Sequence, residues 1–285
     1  MFGIMGTIPK EDMPTVGGGA MMRDGRLTVD DQYVPVERGT AALIGAAAKT
    51  SEVIGIPAPV AYIAGDTGRG LGSRSLYKYM IDVFSEEYFN TFTFHYLQPI
   101  VHCHTRLQHV IRDMKRKPFT IADAGFMYVA KMSGYARMYD LFTPDIGELA
   151  FLADEAAPHP FYTRGFILHE ENRIEDLITR AYKNSNAARF LLVKGRKDCL
   201  SDGEGILCEV DSPVEEAMEA IGGTGDTLTG ILSALISSGM DVKDAARIAM
   251  KTNRLAGSYA RPTPATQIRD IINHIPKALE DILSQ

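Results

Sequence analysis

Three cysteines in 285 residues are too few for a disulfide framework. Cys103, Cys199 and Cys208 are odd in number and show no C-x-x-C spacing. That argues against a stapled secreted fold and a structural zinc site, and it fits a reducing cytoplasm. No uninterrupted apolar run approaches the roughly 18 residues that a membrane helix requires. The amino-terminal MFGIMGTIPKEDMP carries an early acid pair and no basic-then-apolar leader pattern. Positive charge is not in excess either: 30 Lys and Arg stand against 36 Asp and Glu, a net charge of −6. The chain therefore lacks the electrostatic footprint of a nucleic-acid binder, and an anionic substrate must be held by local features. With no internal repeat and no low-complexity linker, one domain over residues 1–285 is expected. A small-molecule substrate, no nucleic-acid or membrane partner, and assembly as a homo-oligomer complete the expectation.

What is present is an ordinary globular composition, 45% hydrophobic and 23% charged, enough for a sizeable core. Residues 1–38 are Gly- and Met-rich without periodicity and read as a poorly defined arm. Beyond them, strand and helix signals alternate. GTAALIGAAAKTSEVI suits a helix and Val60–Ala64 a buried strand. Leu76, Tyr79, Met80, Val83 and Phe84 share one helix face, with Ser73 as the expected N-cap. Further strands are expected at Thr91–Leu97, Phe119–Ala122 and Arg189–Gly195, with helices at Val101–Arg116, Tyr128–Met138, Ile146–Leu152 and Ile174–Tyr182. Asp202-Gly203 signals a hairpin turn. Three helices close the chain, the last broken at Pro276. This alternation implies parallel βαβ units in a doubly wound α/β sheet. In such sheets ligands bind at the carboxyl ends of the strands.

One loop stands out. Gly222-Gly223-Thr224-Gly225-Asp226 precedes a helix whose Leu228, Ile231, Leu232, Leu235 and Ile236 share a face. A helix start leaves backbone N–H groups without partners and carries partial positive charge. Glycines let an anion approach those groups, so the loop suits phosphate oxygens. An acid there repels the phosphate unless it serves a hydroxyl that attacks phosphorus. The residues alone allow two readings: Asp226 as a general base, or Asp226 as a helix cap beside turn glycines. Gly65-Asp66-Thr67-Gly68-Arg69-Gly70-Leu71-Gly72-Ser73 also joins a strand to a helix. It reads either as a second substrate loop, with Arg69 and Arg74 for a dinucleotide's diphosphate, or as a surface turn. Asp123 and Lys194 end strands on the same expected side: Asp123 reads as a substrate contact or a simple helix cap, and Lys194 as a phosphate contact or an idle strand end. His95, His102, His104 and His109 cluster without an acid spaced to complete a ligand set, and read as surface histidines.

GGTGDTLTGILSAL resembles the signature of the ribokinase-like superfamily, a glycine-rich anion hole followed by a catalytic aspartate. FTPDIGELAFL resembles the TPHxGE motif of its NAD(P)H-hydrate dehydratase branch, FLLVKGRKDCLSDGEG the strand and hairpin that follow, and TNRLAG the helix near the nucleotide base. The resemblance spans about residues 119–260. It implies a three-layer α/β/α fold with a mostly parallel central sheet and no separate β-lid. It also implies ATP- or ADP-dependent repair of hydrated NAD(P)H: phosphorylation of the hydrate's hydroxyl, then loss of phosphate. On that reading Gly222, Gly223, Thr224, Gly225, Lys194 and Asn253 serve the nucleotide and Asp226 the hydroxyl. Glu148 with Asp145 organises Mg²⁺ through water, and Asp123, Gly65, Asp66, Gly68, Arg69 and Arg74 serve the substrate. The sequence departs from the branch where Asp145 replaces the usual His and Arg196-Lys197-Asp198 stands in place of an expected Thr. Asn253 also stands where His is frequent, and VEEAMEAI precedes the glycine loop. A thiazole- or pyrimidine-type alcohol kinase, or a nucleotide-binding protein with little turnover, are the alternatives.

Overall fold

The computed structural model describes residues 1–160 and 174–284. Its strands are β1 (Phe2–Ile8), β2 (Val16–Arg23), β3 (Arg26–Val29), β4 (Gln32–Val34), β5 (Val60–Gly65), β6 (Thr91–Phe94), β7 (Phe119–Ala122), β8 (Leu141–Phe142), β9 (Phe190–Val193), β10 (Asp198–Ser201) and β11 (Ile206–Val210). Its α-helices are α1 (Thr40–Ile54), α2 (Leu71–Glu86), α3 (Val101–Asp113), α4 (Gly125–Met132), α5 (Ile146–Ala153), α6 (Ile174–Lys183), α7 (Thr224–Ser237), α8 (Val242–Ala260), α9 (Ile268–Ile272) and α10 (Ile275–Leu283).

The strands form one sheet in the order β11-β10-β9-β8-β7-β6-β1-β5-β2-β3-β4. The run β9-β8-β7-β6-β1-β5 is parallel throughout. Antiparallel strands close both sides. Successive side chains on a strand point to opposite faces, and the core divides accordingly. Ile4, Ile63, Ile121, Leu141 and Leu192 pack with α1, α7, α8, α9 and α10. Their neighbours Met5, Tyr62, Ala122, Phe142 and Val193 pack with α2 through α6. The result is helix on sheet on helix, the three-layer fold expected. Among the described residues no helix is long and apolar enough to cross a membrane.

Several expectations are corrected. Residues 1–38 are not an arm: β1 lies in the middle of the sheet, paired to both β5 and β6. Gly3 and Gly17 explain the misreading, because a Cβ at either would strike an aromatic ring, Phe92 and Tyr62 respectively. Glycines required by close packing erase the apolar alternation that marks a strand. Gly70, not Ser73, caps α2. Ser73 is buried one turn inside, bonded to Asp66 and to the Gln98 N–H. The Tyr128–Met138 helix begins earlier, as α4, and stops at Met132, with a separate short turn at Ala136–Met138. The carboxyl-terminal helix divides before Pro276, which sits in the first turn of α10, where its missing N–H costs nothing. The Asp202-Gly203 hairpin is present, with the Asp202 N–H donating to the Gly205 carbonyl at 3.0 Å.

Candidate active site

Because six strands are parallel, their carboxyl ends share one edge. His95, Asp123 and Lys194 are each the first residue past a strand on that edge, after β6, β7 and β9. Lys194 Nζ donates to Asp123 Oδ1 at 2.8 Å. Thr229, on α7, donates to Asp123 Oδ2 at 2.6 Å. Burial works against the Lys194 charge, but Asp123, Glu148 and Asp226 around it raise its pKa above the ordinary lysine value.

The helix α7 enters this edge from above. Gly223 is its N-cap, at φ 105°, and no side chain caps the helix. Its first-turn N–H groups therefore remain available to an anion. Asp226, in that first turn, is held at both oxygens. Oδ2 accepts the Gly39 N–H at 2.8 Å, and Oδ1 lies 2.9 Å from His95 Nε2. Burial alone raises the Asp226 pKa. The His95 hydrogen bond and charge, Lys194 and the Gly39 N–H outweigh it and hold the carboxyl below its ordinary value.

Asp145 caps α5 through a reciprocal box: its Oδ1 accepts the Glu148 N–H, and Glu148 Oε2 accepts the Asp145 N–H. Each carboxylate keeps one oxygen outside that box. Burial, with like charge from Asp145 and Asp123, pushes the Glu148 carboxyl up to about 8 against the pull of Lys194. A divalent cation would reverse that shift by displacing the proton.

Asp123, Asp145, Glu148, Lys194 and Asp226 line one cavity of about 440 Å³, together with Gly223, Thr224, Gly225 and Asn253. Glu215, Glu216 and Glu219 add acid to its wall. The carboxamide of Asn253 is engaged with α7, donating to the Thr224 carbonyl at 3.0 Å and accepting from Thr227 at 2.6 Å. Asp198, the departure after Lys194, is explained by a buried partner. Arg254 donates from Nε to its carboxylate at 2.8 Å and from Nη2 to the Gly195 and Arg196 carbonyls. That guanidinium fixes the turn directly after Lys194.

The Gly65–Ser73 loop lies at the same sheet edge, past β5, but none of its residues lines the cavity. Asp66 organises the loop itself, accepting from the Gly68, Gly70 and Ser73 N–H groups. Gly65 packs beneath the Lys10 carbonyl. Arg69 pairs with Glu11 at the surface, and Arg74 donates to the Gly70 carbonyl. The histidine reading is corrected in part. His102 and His109 are exposed, but His95 and His104 are fully buried. His104 sits between Tyr139 and Ser133, and burial lowers its pKa to about 3. His95 differs from the other three because it follows a strand of the sheet and they lie on α3. The available signal was its place directly after an alternating strand, the place Asp123 occupies after β7.

A family model described as NAD(P)H-hydrate dehydratase matches residues 103–277. The chain belongs to that family. An uncharacterised protein of Methanocaldococcus jannaschii is 42% identical over 242 residues, which is 85% of this chain and 100% of that protein. A bifunctional NAD(P)H-hydrate repair enzyme of Hyperthermus butylicus is 38% identical over 113 residues, 38% of this chain but 20% of that longer protein. The fold is shared with an ADP/ATP-dependent NAD(P)H-hydrate dehydratase from Bacillus subtilis co-crystallised with ATP/Mg²⁺, at 15% identity and TM-score 0.59, covering 98% of this chain and 89% of that one. It is also shared with a pyridoxal kinase from Staphylococcus aureus in complex with pyridoxal, at 12% identity and TM-score 0.57, covering 90% and 88%.

The glycines of the loop are not equivalent. A Cβ on Gly223 would meet Ile268 at 3.0 Å and the Arg38 backbone at 3.1 Å, in a backbone conformation that side chains rarely adopt. A substitution there tests folding. A Cβ on Gly225 would reach only the flexible Lys194 side chain, at 3.4 Å, on the cavity side. Gly225→Val is expected to fold and to weaken nucleotide binding at least about tenfold, the equivalent of one lost charge-assisted hydrogen bond. Calorimetric titration against the parent measures this; unchanged affinity removes the helix start from the nucleotide site.

Proposed function

We propose that the chain dehydrates hydrated NADH or NADPH at the expense of ATP or ADP. The observation that carries the reading is the position of Asp226. It is an ionised carboxylate in the first turn of an uncapped helix, facing the same cavity as Lys194, Asp145 and Glu148. Family membership supplies the substrate class.

The residues present fit a magnesium nucleotide. The first-turn N–H groups of α7 offer donors for phosphate oxygens. Asp145 and Glu148 offer hard oxygen ligands that suit Mg²⁺ through water. The acid on the cavity wall makes a bare polyphosphate unwelcome, which favours a nucleotide already charge-compensated by metal. Bound there, Mg²⁺ would screen the phosphate charge. Asp226 accepts the proton as the substrate's O–H bond breaks. The hydroxyl oxygen bonds to the terminal phosphorus, the bond to the nucleotide's bridging oxygen breaks, and the nucleotide leaves one phosphate shorter. The carbon–oxygen bond to phosphate then breaks, the adjacent ring carbon gives up a proton to solvent, and the nicotinamide double bond returns. Lys194, with its charge kept by Asp123, neutralises phosphate oxygens beside the helix start. Asn253 holds the first turn of α7 in place. Three free cysteines suit a reducing cytoplasm.

The test is incubation of the protein with hydrated cofactor, Mg²⁺ and either nucleotide. Restored nicotinamide absorbance with release of phosphate is the expected result. A stable phosphoester identifies an alcohol kinase instead, and nucleotide binding with neither outcome identifies a binding protein. Arg69 and Arg74 are assigned to the diphosphate of the dinucleotide, on their place at the same sheet edge. Arg69→Ala and Arg74→Ala should each raise KM for the hydrate about tenfold or more, through loss of charge-assisted bonds to phosphate, and leave KM for the nucleotide unchanged. Parent-like KM for the hydrate in both variants removes the loop from the site.

A further inference from the structure

Asp226 does not stand alone. Its two oxygens and the ring of His95 belong to one closed circuit. The Gly39 N–H donates to Oδ2, His95 Nε2 meets Oδ1, and His95 Nδ1 lies 2.9 Å from the hydroxyl of Thr40, the residue after Gly39. The start of α1, the end of β6 and the first turn of α7 are thereby tied to a single carboxylate. His95 and Thr40 are both buried, so the ring cannot touch substrate; whatever it does, it does through Asp226. An ionised carboxylate only accepts, so Nε2 must carry the proton. With Nε2 donating, Nδ1 is left to Thr40, which can satisfy it as donor or acceptor.

We infer that His95 is the positioning residue of the transfer step: its Nε2–H orients the carboxylate that receives the substrate's proton, and Thr40 holds the ring at the angle this requires. The inference rests on the function proposed above. Among the described residues, the charged and titratable groups that face Asp226 are His95 after β6, Asp123 after β7 and Lys194 after β9, with the Tyr96 hydroxyl further out. Asp123 is already matched by Lys194 at 2.8 Å and lies 3.9 Å from His95 Nε2. His95 is therefore the one direct side-chain partner of Asp226 in this group. If its donor is lost, burial governs the carboxyl, and Asp226 takes up its proton at a higher pH.

The experiment compares kcat across pH for the parent, His95→Leu, which removes the donor, and His95→Gln, which restores an amide donor. In His95→Leu, kcat should fall at least about tenfold. Its acid limb should move up by about one pH unit or more, as loss of a bond to a charged group requires. Nucleotide affinity should stay within about threefold of the parent, because phosphate is held elsewhere, and His95→Gln should recover part of both losses. A uniform fall in kcat with the acid limb unmoved overturns the proposal, because a packing role predicts that pattern. If His95→Leu does not fold, Thr40→Val releases the ring by a near-isosteric change and should shift the limb in the same direction; an unmoved limb there overturns it too. Independently of turnover, ¹⁵N–¹H NMR of the parent should show a slowly exchanging imidazole N–H that is absent in His95→Gln and displaced in Asp226→Asn. Absence of that resonance overturns the proposal even if the parent dehydrates the hydrate. Its presence in a parent that leaves the hydrate untouched sustains the His95–Asp226 pairing and refutes the assigned reaction.

Discussion

Asp226→Asn should lose at least about a hundredfold in turnover, the lower range for removal of a general base, while nucleotide affinity holds or improves. The circuit around Asp226 makes this a clean substitution. An asparagine carbonyl can still accept the Gly39 N–H at the place of Oδ2. Its NH₂ would then face His95 Nε2, and two donors would collide. The imidazole resolves the conflict by moving its proton to Nδ1 and donating to Thr40, so that Nε2 accepts from the amide. The fold is retained, proton acceptance is lost, and a negative charge beside the phosphate site disappears. Steady-state kinetics with calorimetric titration check both halves. Turnover within a few-fold of the parent reduces Asp226 to a structural role.

Arg254→Ala should produce the largest loss of stability. The pair with Asp198 is about nine-tenths buried on each side, at 10% and 8% side-chain exposure. Burial raises the Asp198 pKa, against the opposing pull of the Gly195 N–H and Arg254. Removing the guanidinium leaves a buried carboxylate without its counter-charge and two carbonyls without their donor. Breaking such a pair from one side costs about 3–5 kcal/mol. At about 2–4 °C per kcal/mol for a chain somewhat smaller than this one, the melting temperature should fall by roughly 10 °C. The double variant Arg254→Met with Asp198→Leu should recover much of that loss, because apolar replacement of both partners removes the unpaired charge. A melting temperature within 2 °C of the parent for Arg254→Ala would show that water reaches Asp198.

Much of the layered fold was legible because β5 and β9 carry uninterrupted apolar runs and the helices between the strands keep a clear periodicity. The glycine loop was legible because its flexible residues abut an apolar helix, a junction with few purposes. Three features were not. The central strand β1 was hidden because Gly3 makes room for Phe92, and a strand whose position is set by its neighbour's bulk shows no pattern of its own. His95 was hidden because its partner is 131 residues away, and the helical phase of nearby histidines says nothing about a residue that ends a strand. Asp198 looked like a defect in a phosphate-binding strand. Only the arrival of Arg254, 56 residues later, shows it to be an anchor for the turn that carries Lys194.

His95, Asp123 and Lys194 share a single offset, one residue past a strand end. Strand side chains alternate with period two, so a one-residue slip in any of those strands would swing its functional group to the opposite face. Length changes are therefore intolerable within and just after β6, β7 and β9. The segments that enter these strands from the far edge, around residues 87–90, 114–118 and 184–189, carry no such group. Anyone wishing to splice in a reporter or join a second enzyme should do it at Lys115–Lys117, which are exposed: one rim of this sheet admits new length there, and the other is held in register by its chemistry.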